Sequence, residues 1–317
     1  MRRRPCIYFV LNPANRYARS IYKGACDYFQ EKAMNFELSI AYDEALIEKE
    51  RPIKGIIVIA AETRTETVIS SYRVPAVNVS SSILSPKLPS VHNDNQMAGR
   101  MAAEYLLNLR FHSYAYYGRA KSMADVTLGR SFKKTVENAG FSCTVQMLGL
   151  KDRHGMASPT LQKKLRLWIA SLPKPVGIFC SDDFDAWEVW NACDLNGLQI
   201  GREVGIVGHG NDELYCLTRH PQLSSVETRP DLIGYEAAAL LRRLMRGASP
   251  PKKPILMPPA GVIQRASTDT FVSTDRHVQT AIQFIRDHID TPLKVDQVFK
   301  HVPMSRRTLE RRFHQTT

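Results

Sequence analysis

The side chains best suited to chemistry in this chain fall into four short polar clusters. Asn12 and Asn15 follow the apolar run Cys6–Leu11. Asn93-Asp94-Asn95 opens a helical pattern. Ser181-Asp182-Asp183 follows a run ending at Cys180, and Gly208-His209-Gly210-Asn211-Asp212 follows Val204–Val207. Amides and carboxylates grouped in this way can donate to and accept from the hydroxyls of a small polar ligand. Taken singly, each also suits a turn or a helix cap, Asp94 and Asp183 above all, and the two roles can coexist. Asp182 and Asp183 could form a catalytic pair, but adjacent carboxylates after a strand more often divide into a cap and a ligand contact. The chain has no G-x-S-x-G, P-loop, H-E-x-x-H or glycine-rich dinucleotide fingerprint. The expectation is therefore a binding protein with no catalytic residue and no cofactor. Six cysteines, at 6, 26, 143, 180, 193 and 216, form no C-x-x-C pair and share no metal-like spacing with histidines. Reduced thiols and no metal site are expected.

The elements that would carry these clusters alternate along the first 230 residues. Strands are expected at Cys6–Leu11, Glu37–Ala41, Gly55–Ala60, Ala76–Val79, Tyr114–Tyr117, Thr144–Leu148, Val176–Phe179, Val204–Val207 and Leu223–Val226. Helical patterns lie between them. In Gln96–Leu109, residues Ala98, Met101, Ala102, Tyr105, Leu106 and Leu109 form one stripe at a period of 3.6. Such alternation predicts an α/β fold with helices on both faces of a parallel sheet. In open α/β sheets ligands gather outside the carboxyl ends of the strands, where the clusters fall. Five prolines between 250 and 259 follow a last helix, Leu232–Arg246, and a domain boundary is expected near 267–274.

Beyond that boundary the pattern is wholly helical. Asp275–His288 places Val278, Ala281, Ile282 and Ile285 on one face, with Ser273 or Thr274 as cap. A short helix, Lys294–Val302, leads through Pro303-Met304 into a second, Arg306–His314, capped by Ser305. Leu309 and Phe313 supply the apolar face of that second helix, and Arg306, Arg307, Glu310 and Arg311 fall on its other sides. Two short helices joined by a tight turn, the second one basic, match a helix-turn-helix; a solvated amphipathic hairpin has the same spacing.

At 317 residues the chain can hold two or three folding units. Its net charge of +12 favours polyanionic partners. No apolar window is long enough to span a membrane, and Met1–Arg4 reads as a basic tail rather than the start of a signal peptide. The expected location is the cytoplasm.

Several blocks resemble the sensor core of LacI-type regulators and ribose-binding proteins: "VHNDNQMAGRMAAEYLLNLRFHSYAYYG", "LGRSFKKTVENAG", "GIFCSDDFDAWEVWNACDLNGLQIGREVGIVGHGNDEL" and "LSSVETRPDLIGYEAAALLRRL". The resemblance covers roughly residues 5 to 265. It implies a periplasmic-binding-protein-like sensor of two α/β lobes joined by three crossovers, with a sugar-like effector between them. Residues 1–267 would form the sensor, with lobe one at about 5–109 and 229–249 and lobe two at about 110–228 and 250–267. Carried over by position, Asp94, Arg130, Asp182 and Asn211 would face the cleft. The chain departs from the pattern at Gly210, where the family usually has an acid that accepts from sugar hydroxyls; Asn211 or Asp212 would have to substitute.

The block "LKVDQVFKHVPMSRRTLERRF" resembles the first helix-turn-helix of AraC-type regulators. The pairing of the two halves resembles that of the xylose-operon activator group. It implies a homodimer that binds operator DNA through residues 268–317, with Arg307, Glu310 and Arg311 facing bases and Arg306 meeting phosphate. The AraC-type domain usually has glycine where Pro303 stands, so a locally different turn is expected. It also carries a second helix-turn-helix, so a partial domain is expected here. Two other functions remain open: a sugar-binding protein without DNA function, and an enzyme acting on a sugar-like substrate.

Overall fold

The computed structural model describes residues 4–48, 50–119, 122–148, 159–269, 275–288 and 292–316. Its elements run β1 (Cys6–Val10), α1 (Arg16–Glu31), β2 (Glu37–Ala41), β3 (Ile53–Val58), α2 (Thr63–Ser71), β4 (Ala76–Asn78), β5 (Val91–Asn93) and α3 (Asn95–Asn108). They continue with β6 (Ser113–Arg119), α4 (Met123–Asn138), β7 (Cys143–Leu148), α5 (Pro159–Ser171), β8 (Val176–Cys180), α6 (Asp183–Leu195), β9 (Val204–His209), α7 (Glu213–Cys216) and β10 (Ser224–Glu227). The chain then forms α8 (Pro230–Met245), β11 (Ile255–Met257), β12 (Gly261–Ile263), α9 (Arg276–Asp287), α10 (Val295–His301) and α11 (Arg306–Thr316).

Two sheets organise the residues before α9. The first has the order β2-β1-β3-β4, all parallel, and the pair β5–β11 extends it through a bridge between Asn78 and Ser90. The second has the order β12-β10-β9-β8-β6-β7, parallel except for β12. The central strands are apolar without alternation because both faces are covered. Along β1, Ile7 and Phe9 pack against α1 and α8, while Cys6, Tyr8 and Val10 face the opposite core. In β6, Tyr114 and Tyr116 face the core beneath α3 and α4, and Ala115 and Tyr117 face the one beneath α5 and α6. Helices α1 and α8 cross with their backbones nearly touching: a Cβ on Gly234 would stand 1.9 Å from the Ile21 carbonyl oxygen.

All nine expected strands are present. Three further ones, β5, β11 and β12, are only three residues long, and prolines bracket β11 closely, so the sequence shows no run for them. The lobe limits also differ from the sequence reading. Helix α3, assigned there to lobe one with residues up to 109, buries Ala98, Ala102 and Leu106 against Phe111, Tyr114 and Phe132 of the second lobe. Residues 250–267 do not go to lobe two as a block: β11 joins β5 beside the first sheet, and β12 joins β10. Three crossovers therefore connect the lobes, at β5 to α3, β10 to α8 and β11 to β12.

In the C-terminal segment Val278, Ala281, Val298, Val302 and Leu309 form a small core of their own. Arg312 Nη1 lies 2.6 Å from Asp275 Oδ2, tying α11 to the start of α9. The expected caps Ser273 and Thr274 lie outside the described residues, as does most of the expected boundary; Asp275 Oδ1 accepts from His277 N at 2.9 Å. Ser305 Oγ accepts from Thr308 N at 3.4 Å at the start of α11. The turn through Pro303 is made without a positive-φ residue. Among the described residues no helix is long and apolar enough to cross a membrane. All six cysteines are free.

Candidate functional site

The carboxyl ends of the two sheets face each other across a cavity of about 260 Å³. Lobe one contributes Asn15, Arg16 and Tyr17 from the start of α1. The crossovers contribute Asn93, Thr228 and Pro230. Lobe two supplies Asp182, Asp183 and Phe184 after β8, and His209, Gly210, Asp212 and Tyr215 around the end of β9. The second sheet reverses its winding between β6 and β8, which leaves a crevice at their ends for exposed side chains. Contacts that span the lobes include Arg16 Nη1 donating to the Gly210 carbonyl at 2.7 Å, Asn95 Nδ2 donating to Ser81 Oγ at 2.8 Å and Met123 N donating to the Ser82 carbonyl at 3.3 Å.

The crevice holds a network centred on Arg119, the last residue of β6. Its guanidinium pairs with Asp182, and its Nε donates to Asp185 Oδ2 at 3.2 Å. Its backbone N–H donates to Asp125 Oδ2 at 3.1 Å. Burial works against the charge on Arg119, but the carboxylates of Asp185 and Asp125 hold its pKa above the usual value. Asp182 also caps α6, accepting from Asp185 N at 2.6 Å. Asp183 lies deeper. It accepts from Asp212 N at 2.7 Å and from Ser225 Oγ at 2.5 Å, and burial pushes its carboxyl up to about 6. Burial pulls the imidazole of His209 down to about 4, and its Nε2 is buried without a hydrogen-bond partner among the described residues. Perturbed groups of this kind concentrate at functional sites.

Of the residues assigned a ligand-binding role from sequence, Asn15, Asp182 and Asp183 line this cavity, with Asn93, His209, Gly210 and Asp212 of the same clusters. Asn12 is exposed and accepts from Ala14 N at 2.9 Å in a local turn. Asn211 points away from the cavity and accepts from Arg265 Nη2 at 2.7 Å. Asp94 caps α3, accepting from Met97 N at 2.9 Å, and with the exposed Arg130 it lines a separate groove between α3 and α4. Asp94 and Arg130 thus do not meet Asp182 at the cavity. The sequence reading placed His209 in a polar cluster without assigning it a role, and it missed Arg16, Arg119 and Tyr215. Arg119 ends its strand as the other clusters do, but as a lone basic residue it gave no cluster to notice.

Gly210 has a local reason to be glycine. Its φ is +122, and a Cβ would stand 3.1 Å from Asp183 Oδ2. On α11, Arg307, Glu310 and Arg311 are exposed. Arg306 pairs with Glu310 at 2.9 Å and lies over the Phe299 ring at 5.5 Å. Among the described residues no cluster could hold a metal ion.

Comparison with known proteins matches this architecture. Residues 103–268 match the family model of a periplasmic binding protein-like domain. The xylose operon regulatory protein of Escherichia coli is 30% identical over 319 residues, covering 98% of this chain and 81% of that protein. Its counterpart from Haemophilus influenzae is 29% identical, covering 97% and 81%. The solved structure of the xylose-binding transcription activator XylR superposes with a TM-score of 0.74 at 27% identity, covering 98% of this chain and 82% of that one. With sequence similarity along nearly its whole length and the same fold, the chain belongs to the xylose operon regulatory protein family and is a transcription regulator rather than an enzyme.

Proposed function

We propose that this regulator binds a monosaccharide-like effector between its lobes and operator DNA through its C-terminal helices. The observation that carries the first half is the cavity itself, with polar groups from lobe one, lobe two and the crossovers converging on one space. A ligand that touches both lobes favours the closed form, because only that form offers it both sets of contacts. The relatives' names point to xylose or a similar sugar as the first ligand to try. In this reading Asn15, Asp182 and Asp183 serve the effector directly or by shaping the wall, whereas Asp94 and Arg130 act outside the cleft.

The second half rests on α10 and α11, which meet through a short turn and leave Arg307 and Arg311 exposed one helical turn apart. That arrangement supports an AraC-type helix-turn-helix in residues 268–317; in this reading the regulator works as a homodimer in the cytoplasm. Arg307 and Arg311 reach base edges, Glu310 fixes Arg306 or accepts from cytosine, and Arg306 adds phosphate contact. A thermal-shift screen against monosaccharides tests the effector site. A ligand at 100 times its Kd should add about 2.7 kcal/mol of stability; a panel without any shift would overturn the sugar reading.

A further inference from the structure

The interlobe cavity has committed most of its carboxylate oxygens and left a cation without a carboxylate partner among the described residues. Asp182 is paired with Arg119 and caps α6. Both oxygens of Asp183 accept hydrogen bonds, from Asp212 N and Ser225 Oγ. Asp212 turns Oδ1 to Leu214 N at 3.1 Å, at the start of α7. Position 210 carries no acid, and its backbone geometry disfavours any side chain. Apart from the second oxygen of Asp212, the usual acceptors for neutral sugar hydroxyls are thus tied up or missing.

Arg16 is in the opposite condition. It lines the cavity half-buried, and no carboxylate lies within ion-pair distance of it among the described residues. A guanidinium carries five N–H donors in a planar fork, and the Gly210 carbonyl takes one. Beside it, Asn15 spends Oδ1 as an acceptor from Tyr17 N at 2.7 Å, which leaves its amide N–H groups as donors. The lobe-one wall therefore offers donors and positive charge to a ligand. The planar fork of arginine matches a carboxylate in particular.

We infer that the effector is a sugar acid, an aldonate or uronate whose carboxylate is held by Arg16. The inference rests on reading the cavity as the effector site. The hydroxyls of such a ligand remain for Tyr215, Thr228 and the free oxygen of Asp212, and the aromatic faces of Tyr17 and Phe184 border its carbon skeleton. Because Arg16 belongs to lobe one and the hydroxyl partners to lobe two and a crossover, the acid spans the cleft.

The test is calorimetry on the 317-residue chain with matched pairs: D-xylonate against D-xylose, D-gluconate against D-glucose, and D-galacturonate against D-galactose. At least one acid should bind ten times or more tighter than its neutral partner. Arg16→Gln should weaken the acid at least tenfold more than its neutral partner and so abolish the preference, and Arg16→Lys should keep part of it. The preference should persist in excess acetate, which screens charge but lacks the hydroxyls. If a neutral sugar binds at least as tightly as its acid, or Arg16→Gln keeps the preference, the inference falls and the sugar-effector reading stands. If no member of the panel binds, both fall.

Discussion

Arg16 of lobe one donates from Nη1 to the carbonyl of Gly210 in lobe two at 2.7 Å, directly over the interlobe cavity. A hydrogen bond from a charged donor contributes about 1.5–3 kcal/mol, and partial exposure of Arg16 brings this one toward the lower figure. Arg16→Ala should shift the lobe equilibrium toward the open form by roughly tenfold. Small-angle scattering of the ligand-free variant should give a larger radius of gyration than the parent; identical curves would mean that the other interlobe contacts alone hold the lobes.

Asp183 and His209 should oppose each other as the pH changes. The folded pKa of Asp183 is raised to about 6, so the folded state holds a proton that the unfolded state has released. Its contribution is present at low pH and is lost as the pH rises through 6, amounting to about 3 kcal/mol. The folded pKa of His209 is lowered to about 4, so the unfolded state takes up the proton first. Stability from His209 is lost as the pH falls from 6.5 through 4. Between pH 4 and 6 the two slopes largely cancel. Asp183→Asn should therefore give a protein whose stability climbs with pH in this window, and His209→Gln one whose stability declines. Denaturant titrations at pH 4.5, 5.2 and 6.0 distinguish these slopes, and parallel behaviour of the two variants would contradict the assignment.

Gly234→Ala should loosen the α1–α8 crossing. The new methyl would lie 1.9 Å from a backbone carbonyl, which cannot swing aside as a side chain could. Overpacking of this kind costs about 1–3 kcal/mol, or several degrees in Tm. A melting temperature within one degree of the parent would show that the helices separate freely.

On α11, Arg307→Ala and Arg311→Ala should each lower the ratio of specific to non-specific DNA affinity by about tenfold or more, from 1–3 kcal/mol per arginine–guanine pair. Arg306→Ala should lower both affinities together and reduce the salt slope by about one. Binding titrations on operator and scrambled duplexes at several salt concentrations measure these quantities. Equal ratios in all three variants would mean that another surface reads the sequence.

The sheet cores were legible because covered strands are written as apolar runs, as in Cys6–Val10 and Val176–Cys180. The lobe assignment of α3 was not, since its stripe of Ala98, Ala102 and Leu106 fits either lobe until Phe111 and Phe132 are seen beneath it. Within the site, Asp182 and Asp183 could be read from their place after a strand. Arg130 could not be excluded from the cleft, because position along α4 does not reveal which way the helix turns its outer face. Arg16 and Arg119 carry no local signature; their roles come from what the opposite loop presents to them.

The bond from Arg265 to Asn211 joins the cavity wall to the exit of the sensor. Asn211 follows the cavity residues His209 and Gly210, and Arg265 stands just before Ala266–Thr268, where Ser224 Oγ meets Thr268 Oγ1 at 2.5 Å on the way to α9. Such a bond can carry a displacement from one end to the other, and any free-energy coupling it carries has no preferred direction. If effector tightens operator binding by some factor, operator must tighten effector binding by the same factor. A promoter occupied by this regulator would then respond to effector at lower concentration than the free protein does, so the density of binding sites in the cell helps to set its sensitivity.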